Sequence, residues 1–202
     1  MTEQEWQQSL QRMSQGDQDA FRRVYNESRE QVYRTVTLLM TNKNDICDVV
    51  SEVYAELFRS IPKYDARWAF RGWLNGIIVR QCRSWNRKLW RKWRLFERSK
   101  LLENHEKEPG SEEIFMRQES KNELFQLLQV LSYKHRSVLV LRYYQECSFE
   151  EIADILEIPV GTAKSRHHNA LEKLRLSAHS FTFQSMKEDS PHVYSATTKN
   201  SV

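Results

Sequence analysis

The sequence predicts an all-α fold of two small helical domains joined by a flexible linker, with a helix-turn-helix in the second domain. Three observations point there. Only 5 Gly and 4 Pro occur among 202 residues, too few turn formers for a many-stranded sandwich or barrel. Apolar residues recur at the helical period in two blocks, one ending near residue 98 and one starting near residue 118. Between the blocks the period is lost, and the chain turns acidic around Pro109, Gly110 and Ser111. The expected boundaries are therefore 1–98 for the first domain, 99–117 for the linker, 118–177 for the second domain and 178–202 for a disordered tail. The tail carries nine Ser or Thr from Ser177 onward and no sustained apolar period.

In the first domain, Ala20, Phe21, Val24, Tyr25, Val32, Tyr33, Val36, Leu39 and Met40 keep helical spacing, with Asp17 placed to cap the start. A second helix follows Asn44 and Asp45 through Ile46, Val50, Val53, Tyr54, Leu57, Phe58 and Ile61, and Pro62 stops it. Its other face collects Asp45, Asp48, Glu52 and Glu56 with Ser51, the pattern of the wet side of an amphipathic helix. After a polar loop over 62–69, a third helix runs through Phe70, Trp73, Leu74, Ile77, Ile78, Trp85 and Leu89. Three helices of this length can close a core.

The third helix runs into a basic segment. The whole chain carries a formal net charge of +4, yet residues 80–100 alone sum to +8, while 101–123 sum to −4. Arg80, Arg83, Arg87, Arg91, Arg94 and Arg98 step by three or four, so on a helix they form one stripe of mutually repelling cations. A polyanion such as DNA or RNA relieves that repulsion. Trp85, Trp90 and Trp93 are interleaved, either packing beneath the stripe or stacking on unpaired bases.

The second domain opens with Leu124, Leu127, Leu128 and Leu131, then Val138, Leu139, Leu141, Arg142 and Tyr143. Ser148-Phe149-Glu150-Glu151 is a capping box that starts a short helix, packed through Ile152, Ala153, Ile155 and Leu156. Glu157-Ile158-Pro159 breaks it, and another helix runs from about Val160 through Leu174. Ala163, Ala170, Leu171 and Leu174 are expected to face inward. Thr162, Lys164, Ser165, Arg166, His167, His168 and Asn169 then stand where such a helix meets base edges and phosphates in a major groove.

Other classes fit poorly. Hydrophobic residues are 40% and charged residues 29%, and the longest apolar runs fall far short of the roughly 20 residues a bilayer span needs. Glu3 and Glu5 precede Trp6, unlike the basic start of a secretory signal, so a cytoplasmic location without membrane insertion is expected. Cys47, Cys82 and Cys147 are odd in number and far apart, which suits small core residues better than disulfides or zinc ligation. No Gly-rich phosphate loop or nucleophile motif appears, and His167 and His168 are adjacent rather than at metal-ligand spacing, so no enzyme, cofactor or metal site is expected. A stand-alone helix-turn-helix regulator remains the alternative.

The stretch LSYKHRSVLVLRYYQECSFEEIADILEIPVGTAKSRHHNALEKLR, Leu131 to Arg175, resembles the minus-35 reading domain of extracytoplasmic-function sigma factors of the sigma-70 family. AFRRVYNESREQVYRTV, DVVSEVYAELF and FRGWLNGIIVRQCRSWNRK resemble successive parts of the same family's first domain, in order and spacing. The resemblance covers about residues 19–97 and 118–177.

It implies an alternative sigma factor whose partners are core RNA polymerase, promoter DNA and an anti-sigma factor, often membrane-tethered. Asp48, Val49, Ser51, Glu52, Tyr54 and Leu57 match the segment that docks on the polymerase. Lys63, Tyr64, Arg67, Trp68 and Phe70 match the minus-10 reading loop, where a base leaves the stack at a cost of roughly a few kcal/mol. Arg80, Arg83, Arg87 and Lys88 match positions that hold the backbone around the bubble, and Thr162, Lys164, Ser165, Arg166, His168 and Asn169 those that face the minus-35 element. The family often has Gly where Glu157 stands, so a side chain at positive φ there should cost roughly 1 kcal/mol.

Overall fold

The computed structural model describes residues 1–66, 68–100 and 123–188, without the side chains of Trp93, 95–100, 123–125 and 178–188. Four helices build a first module: α1 (Glu3–Ser14), α2 (Gln18–Leu39), α3 (Ile46–Ser60) and α4 (Phe70–Lys100). A second module holds α5 (Glu123–Gln129), α6 (Tyr133–Leu139), α7 (Phe149–Leu156) and α8 (Val160–Glu188). The described residues contain no strand.

Local chemistry sets the ends. The Asp17 carboxylate accepts from the amides of Asp19 at 2.9 Å and Ala20 at 3.0 Å, satisfying donors that α2 itself cannot reach. Pro62 lies in a single 3-10 turn, Ile61–Lys63, that ends α3. The helix α1 goes beyond the sequence expectation. A Thr2/Glu5 capping box starts it, and Trp6, Leu10 and Met13, spaced by four and three, are buried against α2 and the loop after α3.

Buried residues from all four helices fill the first core, including Val32, Val36 and Leu39 of α2, Val49, Val53 and Leu57 of α3, and Phe70, Leu74, Ile77 and Ile78 of α4. Each such side chain contributes on the order of 1.5–3 kcal/mol by leaving water. Cys82 and Cys147 are buried as expected, whereas Cys47 is exposed, because it falls on the wet side of α3 beside Asp48.

The two modules are packed directly on one another. Val138, Val140, Leu141, Cys147, Ile152 and Ala163 of the second belong to the same continuous core as the first. A π turn, Val140–Tyr144, and Glu146 at φ 57 redirect the chain between α6 and α7. Polar groups lie inside this junction. The Gln31 amide donates to Asn75 Oδ1 at 3.2 Å and Gln145 Oε1 at 2.8 Å, and Gln145 Nε2 donates to Thr35 Oγ1 at 2.6 Å. Tyr133 donates to the Val79 carbonyl at 2.7 Å. The buried Arg136 guanidinium donates to the carbonyls of Leu39 at 3.3 Å and Leu131 at 2.9 Å, a cation set at the C-terminal end of α2.

The helix α8 continues through Glu188, past residue 177 where the sequence places the domain end, because neither Pro nor Gly interrupts the chain between Gly161 and Pro191. Residues 101–117 of the expected linker and 189–202 of the expected tail lie outside the described residues. Among the described residues no helix is long and apolar enough to cross a membrane.

Candidate functional site

The helix-turn-helix has the geometry its residues require. Ser148 Oγ accepts from the Glu151 amide at 3.1 Å while the Glu151 carboxylate accepts from the Ser148 amide at 2.7 Å, closing the capping box of α7. Glu157 then adopts φ 55, ψ 51, the left-handed conformation, and the Ile158 amide returns to the Ala153 carbonyl at 2.9 Å. On α8, Ala163 and Ala170 are buried, with Leu171 and Leu174 half-buried beside them. Lys164, Ser165, His168 and Asn169 are exposed, and Thr162 and Arg166 half-exposed, so six of the seven residues expected to face DNA lie off the packed face. His167 is different. Its ring accepts or donates at 3.0 Å to the Tyr143 hydroxyl and meets the Phe149 ring edge-on at 5.3 Å, so it packs the module. Burial first, then Arg142 and His168, push its pKa below the usual value.

The helix α3 separates two kinds of residue that the resemblance groups together. Asp48, Ser51 and Glu52 are exposed, and Glu52 and Glu56 flank Arg59 at 3.7 and 3.0 Å. Val49, Tyr54 and Leu57 are core residues instead. Their apolar positions alternate with the acidic ones at helical spacing, so the side that packs on α2 and α4 takes them. Tyr54 bonds Ser28 at 3.0 Å, and burial raises its pKa to about 12. Phe58, 54% exposed beside the acidic edge, is the large apolar side chain that a partner can reach.

The loop before α4 also divides. Lys63 and Trp68 are exposed, the latter at 53%, and Tyr64 is half-buried. Phe70 is fully buried and stacked on Trp6 with ring centroids 4.1 Å apart, so it cannot accept a base; as the first residue of α4 it faces the core that α1 completes. Arg67 lies outside the described residues. Burial first, then the Glu3 carboxylate, raise the Tyr64 pKa well above its ordinary value.

The cationic stripe is on the surface. Arg80, Arg83, Arg87, Lys88, Arg91 and Arg94 are exposed, and the Arg94 guanidinium covers Trp90 at 4.7 Å. Trp85 is half-buried and Trp90 exposed. Arg83, Arg87, Arg91 and Arg94 line a groove of about 950 Å³, joined by Lys134 and Arg136 from the second module. A smaller cavity of about 330 Å³ lies where the loop meets α7. Trp68, Trp73, Gly76 and Arg80 form one wall, and Glu151, Asp154 and Ile155 the other. A Cβ on Gly76 would stand 3.1 Å from the Arg80 guanidinium, so the bare glycine lets that side chain lie back along α4. Among the described residues no cluster of His, Cys, Asp and Glu is arranged to hold a metal.

Residues 24–92 match the family described as Sigma-70 region 2, and residues 127–176 match Sigma-70, region 4. The ECF RNA polymerase sigma factor SigW of Bacillus subtilis is 28% identical over 173 residues, covering 82% of this chain and 92% of the relative. The ECF RNA polymerase sigma-E factor of Haemophilus influenzae is 29% identical over 184 residues, covering 86% and 96%. Among solved structures, CnrH in complex with the cytosolic domain of CnrY shares the fold at TM-score 0.61 and 20% identity, covering 87% of this chain and 98% of that one. The sigma factor RpoE of Bartonella quintana, solved with the anti-sigma factor NepR, shares it at TM-score 0.61 and 19% identity, covering 77% and 94%.

Proposed function

The chain belongs to the extracytoplasmic-function group of the sigma-70 family, as an alternative sigma factor that directs promoter-specific transcription initiation, and from that premise we propose how its surfaces divide the work. Asp48, Ser51 and Glu52 dock on core RNA polymerase, with Phe58 as the apolar contact beside them. Opposite charge across that contact guides encounter and fixes register. Lys63, Tyr64, Arg67 and Trp68 read the minus-10 strand, and Trp68 is the side chain placed to stack on an unpaired base. Arg80, Arg83, Arg87 and Lys88 hold the backbone around the bubble, each cation replacing counterions on phosphate. Thr162, Lys164, Ser165, Arg166, His168 and Asn169 read the minus-35 element from the leading end of α8.

One observation carries this division: exposed acidic and exposed cationic edges occupy separate helices of one module, while a helix-turn-helix with a free leading face occupies the other. The same reading puts a first domain through α4 and a second from about residue 118, with α8 carrying the second beyond residue 177. With α7 forming a wall of the cavity beside Trp68, reading of the minus-10 strand through that cavity requires α7 to move away, and polymerase binding supplies the separation. An anti-sigma factor is the third partner, as the RpoE–NepR complex on the same fold supports. A gel shift with promoter DNA, with and without core enzyme, tests the reading. A shift that needs core enzyme is expected; tight binding by the chain alone would favour a stand-alone regulator.

A further inference from the structure

We infer that the amino-terminal helix α1 is a brace for the minus-10 reading loop, with Glu3 as its positioning residue. The inference rests on the reading of that loop given above. One carboxylate oxygen of Glu3 holds the loop at both ends: Oε1 accepts from the Tyr64 hydroxyl at 3.1 Å and from the Phe70 amide at 2.9 Å. Tyr64 also reaches the Trp68 carbonyl at 2.8 Å, so its single proton is shared between the brace and the loop's own backbone. Gln7, one turn further along α1, donates to the Ala66 carbonyl at 3.2 Å. Beneath these contacts Trp6 stacks on Phe70.

The chemistry is specific to the position. Phe70 is the first residue of α4, where amides lack partners within the helix and the dipole favours a negative charge. Glu3 supplies that charge from a different helix. Trp6, Leu10 and Met13 bury the apolar face of α1, while the polar groups of Glu3 and Gln7 bond the loop. The brace ties down the backbone around Trp68 and leaves its side chain 53% exposed, which is what a base-stacking residue needs. The segment matching Sigma-70 region 2 begins at residue 24, so α1 lies outside it.

The test uses the full chain with core polymerase on a promoter fragment carrying a transcript start that the wild-type chain directs. Core affinity is measured together with the rate at which minus-10 thymines become reactive to permanganate. Glu3→Ala is expected to slow strand opening about tenfold with core affinity unchanged. Glu3→Gln, which keeps an acceptor for both donors, should recover most of the rate. Opening at the wild-type rate in Glu3→Ala would overturn the brace. So would a loss of core affinity equal to the loss in opening, since that marks general destabilisation. Trp68→Ala separates the underlying reading: normal opening in that variant with slow opening in Glu3→Ala removes Trp68 as the base reader and leaves the brace standing.

Discussion

Asn75 of α4 donates its side-chain amide to the sulfur of Cys147, at 3.8 Å, across the junction between the two modules. Both side chains are buried, Asn75 at 2% exposure, and burial raises the Cys147 pKa to about 11. The contact joins the helix that carries the cationic stripe to the entrance of the helix-turn-helix. Its surroundings, Gln31, Thr35 and Gln145, place a hydrogen-bonded polar cluster within a junction that is otherwise apolar.

Thiol reactivity reads that junction directly. The thiolate is the reactive form, so a buried thiol with a raised pKa reacts slowly. Native protein should label rapidly at the exposed Cys47 and slowly at Cys82 and Cys147. Core polymerase should accelerate Cys147 while Cys82, within the first module, stays protected. Mass spectrometry of labelled peptides checks both rates.

Docking and packing on α3 should separate by mutation. Glu52→Lys is expected to weaken core polymerase binding by about 1 kcal/mol, roughly fivefold, with unfolding unchanged. Leu57→Ala removes a fully buried side chain and should cost about 2–5 kcal/mol of stability. Denaturant unfolding beside core-binding titrations distinguishes the two.

Glu157 holds a left-handed backbone conformation at φ 55 with a full side chain. Glu157→Gly should stabilise the helix-turn-helix by about 1 kcal/mol, seen as a raised thermal midpoint, because glycine enters that region without the Cβ clash.

Acid should weaken the second module. Burial, followed by nearby cations, lowers the pKa of both His135 and His167 below 6.5 in the folded chain. Between those lowered values and 6.5 the unfolded chain binds more protons, so stability is full above that window and falls as pH drops through it. Denaturant midpoints measured from pH 7.5 to 5 should decline, and replacing His167 by Gln should flatten the decline.

The helices α2, α3, α4, α7 and α8 are legible from apolar period, caps and breakers, and the strained turn at Glu157 from the residue that replaces glycine. The helix α1 was missed although its signal is present: Thr2 and Glu5 at capping-box spacing, then Trp6, Leu10 and Met13. Only three apolar positions among polar ones mark it, so the apolar period stands out from Ala20 onward. Val49, Tyr54, Leu57 and Phe70 show the limit of carrying roles over by position: spacing already marks Tyr54, Leu57 and Phe70 as core, while for Val49 the expected period has its neighbour Val50 instead. The module junction was not legible. Gln31, Thr35, Asn75 and Gln145 are polar points on otherwise apolar faces, and nothing in a period says which face meets which.

Purified chain and core polymerase in run-off transcription, with transcript starts mapped, test the central claim most directly. Starts that appear only when both are present, and that vanish when Lys164 and Arg166 are replaced by Ala, are the expected result. Starts that core enzyme makes equally well without the chain would contradict it.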